Sequence, residues 1–237
     1  MAEFERKAVD KIYRGAYQYF FKGIVYAEEQ FEIFRFNQDY SHRVESEVSF
    51  RLMTGEIFIL KITAVFSKDW VPQVVHCYKH LGLEVVQEVF QYTPQYNKIN
   101  YQYKSEDLEK KGELATPPKF SFGLPCVATS CLFLFIKKLD SSGQASFPYL
   151  LSSNLWTFNS FPKMSAMACA KKTTSLESII VNENKLKCHL YEIFPLDEKS
   201  DFGKSQVYIS THLNLPYVIQ WRDYTYQVVY LNHLDEK

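Results

Sequence analysis

Histidines, acidic pairs and a wealth of tyrosine are the groups in this chain whose types and spacing could do chemistry. The histidines are His42, His76, His80, His189, His212 and His233. His76 and His80 have the gap that brings two imidazoles onto one metal ion from a helix. Their segment, Gln73 to Lys79, reads as a strand, where that spacing does not converge, so neither a metal site nor a cofactor is expected. Glu45 and Glu47 share one strand face with Arg43 and Arg51. Facing water, that row forms cross-strand ion pairs. Lining a barrel, Arg43 and Glu45 would instead orient the polar end of a ligand, and the carboxylates could act as general acid or base.

Aromatic residues are the least ordinary feature, with 17 tyrosines and 19 phenylalanines in 237 residues. A tyrosine presents an apolar ring with a polar tip, which suits the wall of a cavity holding a molecule of mixed polarity. β-Rich proteins also favour aromatics for packing alone. The candidate wall residues are Trp70, Trp156, Tyr217, Trp221, Tyr224, Tyr226 and Tyr230.

Several functional classes lack their motifs. The eight glycines include no dinucleotide or phosphate-loop spacing and no G-x-S-x-G elbow. Formal net charge is zero and no basic run exceeds two residues, which argues against nucleic acid as a partner. Five scattered cysteines, Cys77, Cys126, Cys131, Cys169 and Cys188, read as reduced, buried thiols. Met1 to Arg14 is charged and has no apolar core of a secretory signal. The most apolar run, Leu132 to Ile136, is too short to span a bilayer. A cytoplasmic protein is expected.

The elements that must position these residues are mostly strands. From Tyr40 to Tyr103 the chain reads as a meander. In His42–Met53, Val44, Ser46, Val48, Phe50 and Leu52 alternate with Arg43, Glu45, Glu47, Ser49 and Arg51, the period of a half-buried strand. Thr54-Gly55 marks a hairpin turn. Glu56–Phe66 is apolar on both faces, which predicts cover on its second face. Gly82–Tyr92 is read as strand although its spacing also fits a helix. Ala2 to Tyr13 has helical spacing, predicting a short N-terminal helix over 2–14. Ser105 to Lys119 reads as a long polar connection, and Pro125–Leu139 as a covering helix with strand as its alternative. Met164–Ala170 reads as a close-packed turn or short helix. The expected whole is one β-rich domain over 1–237 with about ten strands.

The long alternating strands and the late segment Leu215-Pro216-Tyr217-Val218-Ile219-Gln220-Trp221 resemble the curved-sheet carriers, meaning lipocalin-like barrels and the half-barrels of bacterial lipoprotein carriers. The expected fold is therefore mainly β, a strongly curved antiparallel sheet or lipocalin-like half-barrel with one or two covering helices. The first functional reading is a non-catalytic module holding a hydrophobic or amphiphilic small molecule. One alternative is an enzyme of the same architecture acting on a lipid-like or polycyclic substrate. The other is an interaction module that docks a protein partner or a second copy of itself.

Overall fold

The computed structural model describes residues 9–136, 138–154, 156–172, 175–197, 203–212 and 214–234. The first half is a continuous antiparallel meander of eight strands. These are β1 (Val9–Phe21), β2 (Ile24–Phe36), β3 (His42–Arg51), β4 (Ile57–Phe66), β5 (Pro72–Leu81), β6 (Glu84–Thr93), β7 (Lys98–Lys104) and β8 (Glu109–Ala115). A short strand β9 (Ser121–Gly123), a 3-10 turn over Val127–Thr129 and a single helical turn α1 (Phe133–Ile136) follow. The second half adds β10 (Gln144–Leu151), β11 (Lys163–Lys171), β12 (Glu177–Val181), β13 (Asn184–Pro195), β14 (Ser205–Ser210), β15 (Pro216–Trp221) and β16 (Tyr224–His233).

All sixteen strands join one sheet, in the order β8-β7-β6-β5-β4-β3-β2-β1-β16-β15-β14-β13-β11-β10-β9, with β12 on the side of β13. Its seam is the antiparallel pairing of β1 with β16, which joins the two halves of the chain. The sheet is curved but open: β8 and β9 end the order, and no pairing between described residues joins them.

Alternation explains the inner face. In β3, Val44, Ser46 and Val48 are buried, while the opposite phase carries Arg43, Glu45 and Glu47. β4 buries Phe58, Leu60, Ile62, Ala64 and Phe66. Its second face, with Ile57, Ile59 and Val65, is exposed or half-buried, so no element among the described residues supplies the cover expected there. Two-residue turns set the register. Lys22 and Gly23 both have positive φ, as do Asn182 and Glu183, the geometry that matches the right-handed strand twist. The Lys22 amide donates to Asp223 O at 2.9 Å, so the β1–β2 and β15–β16 tips abut at one end of the sheet.

Four segments differ from the sequence reading. Residues 9–14 of the expected N-terminal helix are strand; residues 2–8 lie outside the described residues. The register with β2 slips between Lys11 and Tyr13. Such a bulge breaks the period-two pattern, and what remains imitates helical spacing. Residues 105–119 contain β8, an edge strand with few buried side chains, which is why its sequence looks like a loop. Met164–Ala170 lies within β11, whose alanines pack without the bulk that marks most strands. Pro125–Leu139 does cover the sheet, but as a 3-10 turn followed by four helical residues.

That covering segment lies on the concave face. Its Phe135 stacks on Trp70, in the β4–β5 turn, with ring centroids 4.6 Å apart. Trp70 stacks in turn on His42 at 4.0 Å. A second irregular segment, described over 152–154 and 156–162, straps the β7–β8 side, where Phe161 packs on Tyr101 and over Gly112. The two segments fill part of the concavity and leave the rest as a cavity.

Candidate ligand-binding cavity

The cavity has a volume of about 530 Å³ and lies between the concave face and the covering segment. Its sheet wall includes Val48 and Phe50 of β3, Leu60 of β4, and Val207 and Ile219 of β14 and β15. Leu124, Val127 and Phe133 close it from the covering side. Tyr26 and Trp221, beside the abutting hairpin tips, line the same space. The wall is therefore mainly aliphatic and aromatic. Two buried polar nodes stand behind it and on it.

The first node is Glu29, wholly buried on β2 in the phase of Ala27, Phe31 and Ile33. Its Oε2 accepts from the Tyr19 hydroxyl at 2.6 Å and the Val127 amide at 2.7 Å. Its Oε1 accepts from Ser46 Oγ at 2.7 Å and the Ala128 amide at 3.2 Å. Burial pushes the carboxyl pKa up, while the four donors oppose the rise. Among the described residues no cation pairs with it. Two of the four donors belong to the covering segment, so this carboxyl fastens that segment to the sheet.

The second node lies on the cavity wall itself. Lys79 on β5 and Glu88 on β6 are both buried in inward phases. The Lys79 ammonium donates to Glu88 Oε2 at 2.6 Å and to the Asn154 carbonyl. Glu88 Oε1 accepts from Ser152 Oγ at 2.6 Å and the Tyr101 hydroxyl at 2.7 Å, with Asn154 Nδ2 at 3.4 Å. Asn154 is itself saturated: its Nδ2 donates to Tyr101 and to the Ser160 carbonyl, and its Oδ1 accepts from two backbone amides. A buried pair costs desolvation and is held only where its remaining hydrogen-bonding groups are satisfied. Here the strap residues Ser152 and Asn154 supply that satisfaction.

Three of the five thiols also line the cavity, namely Cys77, Cys126 and Cys131. Burial pushes the Cys77 and Cys131 pKa values up to about 12, and that of Cys126 is raised by the same cause. A thiol in that state is a small apolar wall group rather than a nucleophile.

The residues singled out in the sequence fall in different places. Trp221 and Tyr226 line the cavity. Tyr224 stands beside them, stacked on Trp221 with ring centroids 5.4 Å apart. Trp156 lies one layer back, edge-on to the lining residue Phe58 at 5.8 Å. Trp70 belongs to the His42–Phe135 stack, and Tyr217 is a half-buried residue packed against the core; neither lines the cavity. Tyr230 is partly exposed. Arg43 and Glu45 lie on the outer face of β3, paired at 3.1 Å, with the guanidinium 4.5 Å from the centre of the Phe34 ring. Lys79, Glu88 and Glu29 were missed, though each is a charge in an otherwise apolar phase.

No family model and no curated protein matches the chain. Solved structures that resemble it include the following two. A β-barrel-like protein of the domain of unknown function DUF1849 from Brucella abortus has a TM-score of 0.57 at 11% identity, covering 95% of this chain and 99% of that one. A DUF1089 family protein from Pseudomonas aeruginosa has a TM-score of 0.50 at 13% identity, covering 80% of this chain and 87% of that one. The likeness is one of fold: this chain is a large curved sheet with a β-barrel-like structural neighbour.

Proposed function

We propose that this protein is a non-catalytic module that holds one hydrophobic or amphiphilic small molecule on the concave face of its sheet. The supporting observation is the cavity, about 530 Å³ and bounded mainly by apolar side chains. That volume is within the ~300–1,000 Å³ typical of small-molecule sites. Solvent water gains little on such a wall, whereas an apolar ligand removes both its own surface and the wall's from water. The buried titratable groups favour holding over turnover. Glu29 and Glu88 each accept several hydrogen bonds from the protein, and the lining thiols are held protonated.

Native mass spectrometry of protein purified from cells provides the test. The expected result is a retained extra mass that disappears on denaturation, together with uptake of a neutral apolar fluorophore by the stripped protein. Val48→Phe, which adds bulk to the wall, should weaken that uptake while the protein stays folded. A clean apo mass combined with no fluorophore uptake overturns the proposal.

A further inference from the structure

The charge on the cavity wall cancels locally. Among the described residues lining it, Lys79 and Glu88 are the only charged ones, and they form an ion pair at 2.6 Å. A ligand bearing a charge would therefore add a third, uncompensated charge to a desolvated site. A carboxylate brought to Lys79 also meets Glu88, and an ammonium brought to Glu88 also meets Lys79.

At the ion pair the hydrogen-bonding group left over is a donor. Glu88 already accepts on both oxygens, with Lys79 on one and Tyr101 and Ser152 on the other. Lys79 has three N–H groups and two protein acceptors, Glu88 Oε2 and the Asn154 carbonyl, which leaves one donor over. The Tyr149 hydroxyl, also on the wall, makes no hydrogen bond with any described residue. The Asn154 side chain and Ser152 are spent on the ion pair and the strap. Ser130 Oγ donates to the Val127 carbonyl at 2.7 Å.

Building on the ligand-holding reading above, we propose that the cavity selects a molecule whose polar end is uncharged and accepts hydrogen bonds. An ester, amide or ketone on an apolar body has this chemistry, and the corresponding acid or amine does not. The acceptor oxygen sits near Lys79, where the remaining ammonium donor meets it, and the apolar body lies along Val48, Leu60 and Ile219. Glu88 is then a positioning residue. It holds the ammonium in place and cancels its charge, so the site offers a donor without attracting anions.

Three ligands of equal chain length test this selectivity: dodecanoate, methyl dodecanoate and dodecylammonium. Each competes with neutral N-phenyl-1-naphthylamine for the full-length protein near pH 8. The ester should compete at least about tenfold better than either ion, the scale on which an uncompensated buried charge weakens binding. The infrared carbonyl band of the bound ester should lie below its position in an alkane solvent. It should move back up in the double variant Lys79→Met with Glu88→Leu, which removes both charges together. Uptake of the fluorophore with the acid or the amine competing as well as the ester overturns the selectivity alone. An absence of fluorophore uptake, together with a clean apo mass, overturns the ligand-holding reading itself.

Discussion

His42 shows how one residue's burial becomes a property of the whole protein. It lies against Trp70 at 4.0 Å, and burial lowers its pKa below the ordinary histidine value of 6.5. A hydrogen bond with the Ser67 backbone opposes that shift, and the positive charge of Arg35 reinforces it. The folded state therefore binds a proton less readily than the unfolded chain. Its contribution to stability is present above pH 6.5 and is lost as the pH falls through the lowered folded-state value. His189 is shifted in the same direction, by burial and by Lys171. Urea unfolding between pH 7.5 and 5 should therefore show stability falling with pH. The variant His42→Phe, which keeps a ring on Trp70, should flatten the slope but leave the share owed to His189. An identical slope in the variant would mean that His42 titrates alike in both states.

Glu29 acts at the scale of elements, because its hydrogen bonds join β2 to the segment that covers the sheet. Its partners Val127 and Ala128 lie almost a hundred positions further along the chain. Replacing Glu29 with alanine leaves the Ala128 amide and the Tyr19 and Ser46 hydroxyls without their acceptor, and leaves the Val127 amide only the Tyr19 hydroxyl at 3.2 Å. Each orphaned group costs on the order of 1–3 kcal/mol, part of it recovered by relaxation. A net loss of about 3 kcal/mol in urea unfolding is expected. Glu29→Gln, which keeps one acceptor oxygen, should lose less. A loss below about 1 kcal/mol for the alanine variant would show that the covering segment is held by its apolar contacts alone. Because burial raises this carboxyl's pKa, its contribution has the opposite pH sense to that of His42. It is fullest below the unfolded value of 4.5 and is lost as pH rises through the folded-state value.

The same elements show what the sequence could convey. Alternation in β3 identified both the strand and its dry face, and Thr54-Gly55 identified the turn after it. The signal for the two polar nodes was also present. Glu29 stands between Ala27 and Phe31, Lys79 two positions after Cys77, and Glu88 between Val86 and Phe90, each a charge in the inward phase. The strap was not legible, because Ser152 and Asn154 matter through Lys79 and Glu88, more than sixty positions away. The outer apolar residues of β4 misled for a related reason. Side-chain pattern reports which residues are apolar, but not whether neighbouring strands leave the second face bare.

For the whole molecule, an open sheet must prevent its free edges from recruiting another chain. The two termini of the strand order solve this differently. β9 is three buried residues long, and Gly123 lies directly beneath the Tyr149 ring, where any Cβ would meet it at 2.5 Å. β8 is longer and exposed, and it carries Glu109, Lys110, Lys111 and Glu113. Lys98 pairs with Glu113 at 2.7 Å and Lys111 with Glu109 at 2.6 Å. Such exposed pairs contribute little to stability. Their value lies in negative selection, since a strand arriving at this edge would have to accommodate lysines beside its own backbone. Replacing Lys110 with valine and Lys111 with threonine removes both and raises the β-propensity of the edge. The double variant should unfold within about 0.5 kcal/mol of the parent, as surface changes generally do. Sedimentation velocity at rising concentration should nevertheless show it shifting to heavier species than the parent. If the two sediment alike at every concentration, the charges do not guard this edge, and its protection falls to the strap residue Phe161, whose ring packs over Gly112 at the middle of β8.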